Sequence, residues 1–263
     1  IYTSQLNETQ RKLLLAFSVY REPVSLRAAR VLCDFDESTS SAQIQQALDG
    51  LLAQHLLQAI GDGSYQLHAI VEGYARDNFV VDDDQANEQA LCAAHARAAQ
   101  YYIQLAASDF PPRGKREQLS DYDPLTEAAW QFCQARRWRD AYNLIQNEGL
   151  FGNLKALGGL VIILELYKLL LPLKKWQATP LEGARVYNYL GSIYRSLGRK
   201  ELALQHLEQA AALCKAAGET VEEGWSFNHL GRLYASMGEK ERASAYHEEA
   251  LARARAGGER ILE

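Results

Sequence analysis

The residues of this 263-residue chain that could do chemistry are scattered, and their spacing excludes most reaction classes. His55, His68, His95, His206, His229 and His247 form no HExxH and no other paired-ligand spacing, so no bound metal is expected. Cys33, Cys92, Cys133 and Cys214 stand far apart without a CxxC and read as reduced, mostly buried thiols of a cytoplasmic protein. No serine sits in a GxSxG elbow and no GxxxxGK[ST] loop is present, so neither an enzyme activity nor a nucleotide held by that route is expected of these residues. Asp82, Asp83 and Asp84 could attract a cation, but an acidic run between helices is ordinarily a solvated linker. What remains is recognition chemistry. Arg185, Asn188, Ser192 and Arg195, and then Trp225, Asn228, Arg232 and Ser236, recur at steps of three and four, which places each series on one helix face. Amides can hydrogen-bond an extended backbone and arginines favour carboxylates and phosphates, so the expected partner is a protein or peptide segment of acidic character.

The elements that carry these two series repeat. Tyr187, Asn188, Leu190, Gly191, Tyr194, Gly198, Ala203 and Ala210 recur as Phe227, Asn228, Leu230, Gly231, Tyr234, Gly238, Ala243 and Ala250, at a constant offset of 40. A fixed period of this size signals stacked helical hairpins, because one hairpin cannot bury its own apolar face and leans on the next. Gly191 and Gly231 fall inside helical patterns, where glycine costs about 1 kcal/mol against alanine, and therefore predict close packing of a neighbouring helix. Gly198 and Gly238 predict left-handed helix ends, and the four alanines keep the second helix of each hairpin thin where it crosses its partner. This pattern resembles the tetratricopeptide repeat. Leu207 and His247 stand where that family usually has a large aromatic, and the closing proline is missing. The period exceeds the family's usual ~34, which predicts helices longer by about a turn.

Net charge is −5, which gives no electrostatic case for nucleic acid or an anionic membrane. The most apolar run, Leu157 to Leu173, contains Glu165 and Lys168, falls short of a membrane span and predicts a core helix. The only methionine is Met237, and the chain stops at 260–263, just where another repeat would begin; both ends therefore read as lying within a longer protein. Three sections separate: 1–80, 81–180 and 181–263. In the first, helices are expected after Asn7, after Ser25 and after Ser40 or Ser41, followed by two strands around Gly61-Asp62-Gly63-Ser64, which together make a winged helix. In the second, helix is expected over about 87–107, and Glu127 to Ile145 reads as a degenerate hairpin turning near Arg136 and Arg137. DNA binding by the winged helix is not expected. No Lys or Arg occurs between Arg30 and Arg76, and the candidate reading helix offers only Gln43, Gln45, Gln46, Asp49 and Gln54.

A winged helix that does not bind DNA, followed by tetratricopeptide-like repeats, is similar to the regulatory half of signal-transduction ATPases of the STAND and NB-ARC type. The sharpest local match runs from Tyr65 to Arg76, through Gln66, Leu67, His68, Ala69, Ile70, Val71, Glu72, Gly73, Tyr74 and Ala75. In that family a Met-His-Asp-like motif closes the winged helix, and its histidine reaches the ADP phosphate held by an upstream nucleotide domain. The resemblance implies that role for His68, with Leu67 in the methionine's place and Ala69 replacing the aspartate. It also implies ADP or ATP in the full-length protein and no cofactor within these residues. On the residues alone, His68 reads equally as a helix cap. The expected fold is mainly α: a winged-helix domain, a helical linker and an α-solenoid. The expected function is a sensor segment whose repeats bind a ligand and whose winged helix relays that state. A constitutive peptide-binding adaptor and a winged-helix transcription regulator are the alternatives.

Overall fold

The computed structural model describes residues 6–33, 35, 39–77 and 84–256. The acidic residues at 82 and 83 and the stretch 257–263 lie outside these. The fold is mainly α and divides into two compact units, Ile1–Lys115 with Asp123–Arg137, and Arg116–Tyr122 with Trp138–Glu263.

In the first unit the first three helices start where a side chain can satisfy their free N–H groups. Helix α1 (Glu8–Ser18) opens on a reciprocal cap: the Gln10 N–H donates to Asn7 Oδ1 at 2.9 Å and the Asn7 N–H to Gln10 Oε1 at 3.1 Å. Ser25 caps α2 (Leu26–Leu32), and Ser40 with Gln43 closes the same kind of box on α3 (Ser41–Ala53). Leu13, Leu14, Phe17, Ile44, Leu48 and Leu51 are buried on the facing sides of α1 and α3. Strands β2 (Leu57–Gly61) and β3 (Ser64–Leu67) form the expected hairpin, turned by Asp62 and Gly63 at φ of +48° and +71°. A third strand, β1 (Val24–Ser25), pairs antiparallel with β3, so the sheet order is β1-β3-β2. Two residues are too short to carry a period-two signal, and β1 is therefore invisible in the sequence. Helix α4 (Ala69–Asp77) follows β3 directly.

Helices α5 (Asp84–Ser108) and α6 (Asp123–Gln134) complete this unit. Buried Gln131 on α6 donates to the Val19 carbonyl at 3.1 Å and meets His95 Nδ1 on α5 at 2.6 Å. Arg21 grips the Glu127 carboxylate through Nε at 2.9 and 3.0 Å, with its guanidinium 5.0 Å over Trp130. These contacts tie α6 to the chain that follows α1. The sequence reads 127–145 as one hairpin; here α6 belongs to the first unit and α7 (Trp138–Asn147) to the second, with the turn at Arg136, φ +58°.

In the second unit the apolar run 157–173 holds a shorter helix than expected. Helix α8 (Leu150–Ala156) stops at Gly158, φ +83°, and α9 (Leu160–Leu169) stops before Pro172. Ile163, Leu166, Tyr167 and Leu170 are buried, so this segment is core as predicted. Thr179 and Glu182 then cap α10 (Pro180–Ser196), followed by α11 (Lys200–Ala217), α12 (Thr220–Met237) and α13 (Lys240–Ala256). Gly198 and Gly238 close the first helices at φ +73° and +83°. A Cβ at Gly191 would stand 2.5 Å from Leu207 Cγ, and one at Gly231 would stand 2.7 Å from His247 Cε1. The two residues that depart from the aromatic pattern are thus the lids over the two helical glycines. The geometry repeats as the residues do: His206 stacks on Tyr194 at 5.3 Å and 4°, and Tyr246 on Tyr234 at 5.3 Å and 4°.

Candidate ligand-binding site

The eight polar-face residues separate into two groups. In the first, the Glu222 carboxylate at the start of α12 accepts from Arg185 Nε at 3.1 Å and Asn188 Nδ2 at 3.3 Å, both on α10. Asn188 is only 3% exposed, so its amide joins the two hairpins rather than lining an open ladder; its Oδ1 has no hydrogen-bond partner. Asn228 is half-buried and Trp225 is exposed. Ser236 turns its hydroxyl back to the Leu233 carbonyl at 2.6 Å, which leaves it little to offer a ligand.

The second group gathers positive charge. Lys155 Nζ, on α8, donates to the buried Ser192 hydroxyl on α10 at 3.1 Å and lies 5.4 Å from the Phe151 ring centre. Arg195, one turn beyond Ser192, has its Nε buried without an acceptor, and His229 Nδ1 on α12 is likewise buried and unpartnered. Arg232, three residues after His229, is exposed. These groups feel one another. Burial, then Arg195 and Arg232, pull the Lys155 ammonium below its ordinary pKa, and burial followed by Arg232 does the same to Arg195. Burial and then Arg232, Arg195 and Lys155 push the His229 imidazole down to about 4. Among the described residues no carboxylate pairs with Lys155, Arg195 or Arg232. Such a grouping can hold an anion.

Arg195, Arg232 and Ser192 belong to the ligand-groove residues expected from the sequence, whereas Lys155, His229 and Glu222 were not among them. Lys155 lies on a short helix outside the repeat, and nothing in its neighbourhood marks it. Glu222 had a usable signal: it is the repeat mate of Glu182, which receives Arg139 of α7 as Glu222 receives Arg185.

Elsewhere, His68 is exposed at the junction of β3 and α4, and its carbonyl accepts the Val71 and Glu72 N–H groups at 2.8 and 3.0 Å. Its backbone therefore starts α4. On α3, Gln43, Gln45, Gln46 and Asp49 are exposed, with Gln45 donating to Asp49 at 3.0 Å. Among the described residues no group of metal-ligating side chains gathers and no helix is long and apolar enough to cross a membrane.

Residues 184–256 match the family model of the tetratricopeptide repeat, so the α10–α13 hairpins are repeats of that kind. A solved structure, a signal-transduction ATPase with numerous domains (STAND) carrying a tetratricopeptide repeat sensor from Pyrococcus horikoshii, is similar to this chain at 17% identity and a TM-score of 0.36. That similarity covers 99% of this chain and 46% of the other, so this chain spans about half the length of that protein. No curated protein sequence matches the chain.

Proposed function

We propose that this chain is the sensor segment of a STAND-type ATPase, in which the repeats of 181–263 bind a protein or peptide ligand. The winged helix of 1–80 then relays that state, through the helices of 81–180, to a nucleotide domain earlier in the protein. The observation that carries the ligand site is the grouping of Lys155 on α8 with Arg195 and Arg232 on the first helices of the two repeats, with no acidic partner among the described residues. Cations facing one another cost free energy unless an anion joins them. His68 supports the relay because its exposed side chain stands at the end of the hairpin, free to meet a phosphate on another domain. The repeats themselves supply interaction rather than catalysis, and the protein is read as cytoplasmic.

A constitutive adaptor is the second reading, favoured by the Arg185–Glu222–Asn188 joint, which holds the hairpins in one arrangement. A transcription regulator gains nothing from α3, whose exposed polar residues include no cation. The test uses the longer protein with its nucleotide domain. R195E with R232E is expected to abolish ligand-dependent ATPase activation with circular dichroism unchanged, and H68A to weaken ADP retention and raise basal turnover. Activation that survives the double change removes these repeats as the sensor, and H68A with unaltered ADP retention removes the relay role of His68.

A further inference from the structure

The cation cluster has a composition that narrows its ligand. Three helices contribute: α8 gives Lys155, α10 gives Ser192 and Arg195, and α12 gives His229 and Arg232. Ser192 and Arg232 occupy equivalent repeat positions, so the cluster is not a by-product of the repeat. A serine in one hairpin lets Lys155 reach the small residue, and the arginine in the next is near enough for its charge to act on the Lys155 ammonium. Ser192 is 2% exposed and its Oγ accepts a hydrogen bond from Lys155 Nζ, which leaves its own O–H to donate. Arg195 Nε and His229 Nδ1 are buried polar atoms with no hydrogen-bond partner among the described residues. Unsatisfied groups of this kind are costly, and here they belong to residues whose charges act on one another.

Charge decides between acceptors. A single carboxylate would offset one of three positive charges and leave two still opposed, whereas a phosphate monoester carries close to two negative charges near neutral pH and three acceptor oxygens. Two guanidinium forks and an ammonium match several oxygens on one centre better than they match the two oxygens of a carboxylate.

We infer that Lys155, Ser192, Arg195, His229 and Arg232 form a binding site for a phosphate monoester carried by a peptide. The anion site stands on the geometry above; only the peptide as carrier rests on the ligand-sensing reading.

The experiment titrates this chain at constant ionic strength with inorganic phosphate, O-phosphoserine, a short peptide containing phosphoserine, the same peptide with serine, and acetate. His229 imidazole NMR signals and calorimetry report binding. Phosphate and O-phosphoserine are expected to saturate and to raise the His229 midpoint from about 4. Acetate is expected to bind at least tenfold more weakly, and the phosphopeptide more tightly than either small phosphate. K155Q, R195Q and R232Q are each expected to weaken phosphate about tenfold or more, while R255Q, outside the cluster, leaves it unchanged. Because Arg232 is exposed, R232Q tests the site without threatening the fold. Acetate binding as tightly as phosphate, no saturation by any anion, or phosphate affinity indifferent to R232Q each overturns the site. A phosphopeptide no tighter than inorganic phosphate overturns the peptide as carrier. The two readings fail separately: phosphate that binds while the R195E/R232E protein still activates refutes the sensor alone, and blocked activation without phosphate binding refutes this site alone.

Discussion

Gly191 shows how a single missing atom sets a packing distance. Leu207 already fills the place a Cβ would take, so G191A gains about 1 kcal/mol of helix propensity and loses more to overpacking. A net destabilisation of about 1–3 kcal/mol is expected in urea titration, with L207A costing less in the G191A background than in the natural chain; a neutral G191A refutes the close contact. The role of the glycine was legible from its place inside a helical pattern, but the identity of its lid was not, because sixteen residues of helix and turn decide which side chain arrives there. His229 is a second case. Its folded pKa of about 4 lies below the unfolded value near 6.5, so the unfolded chain binds the proton that the folded chain refuses. The contribution of this residue to stability is complete above about pH 6.5 and is lost as the pH falls toward about 4. The melting temperature is expected to drop more steeply between those limits in the natural chain than in H229Q; equal slopes contradict a buried neutral imidazole. Nothing beside His229 in the sequence foretold this, since the charges responsible come from α8 and α10.

Among the elements, the joint between the two clear hairpins is polar and depends on one carboxylate. Glu222 has a side chain 12% exposed and holds both Arg185 and Asn188. E222Q keeps the shape while leaving half of Arg185's partnership unmade, and is expected to cost about 1–2 kcal/mol. Amide exchange should quicken first in α10 and α12. E249Q, whose carboxylate is 58% exposed in a 3.9 Å pair with Arg253, is expected to change stability by less than about 0.5 kcal/mol. Equal effects of the two would show that the joint is not held by Glu222. Helix starts were the most legible elements, since Asn7, Ser25 and Ser40 announce themselves by side-chain chemistry that acts within four residues. The apolar run 157–173 was legible as core but not as a glycine break followed by a ten-residue α9, because hydrophobicity reports burial and not where the chain turns.

For the molecule as a whole, sequence similarity marked where repetition begins, and the hairpins α10–α13 follow it. The partition of the remaining helices was less legible: α6 joins the first unit through Gln131, Glu127 and Trp130, long-range contacts to Val19 and Arg21 that no local pattern encodes. The paired fit of Gly191 under Leu207 and Gly231 under His247 also constrains the ancestry of such an array. At Gly191 the lid Leu207 is fully buried, so a lineage can replace that glycine only after the lid has shrunk, whereas the exposed His247 ring can swing away from Gly231. The order of substitutions is therefore fixed in the first unit and open in the second. Copying a whole forty-residue unit carries glycine and lid together, so duplication preserves a match that independent point changes would have to cross in one permitted sequence.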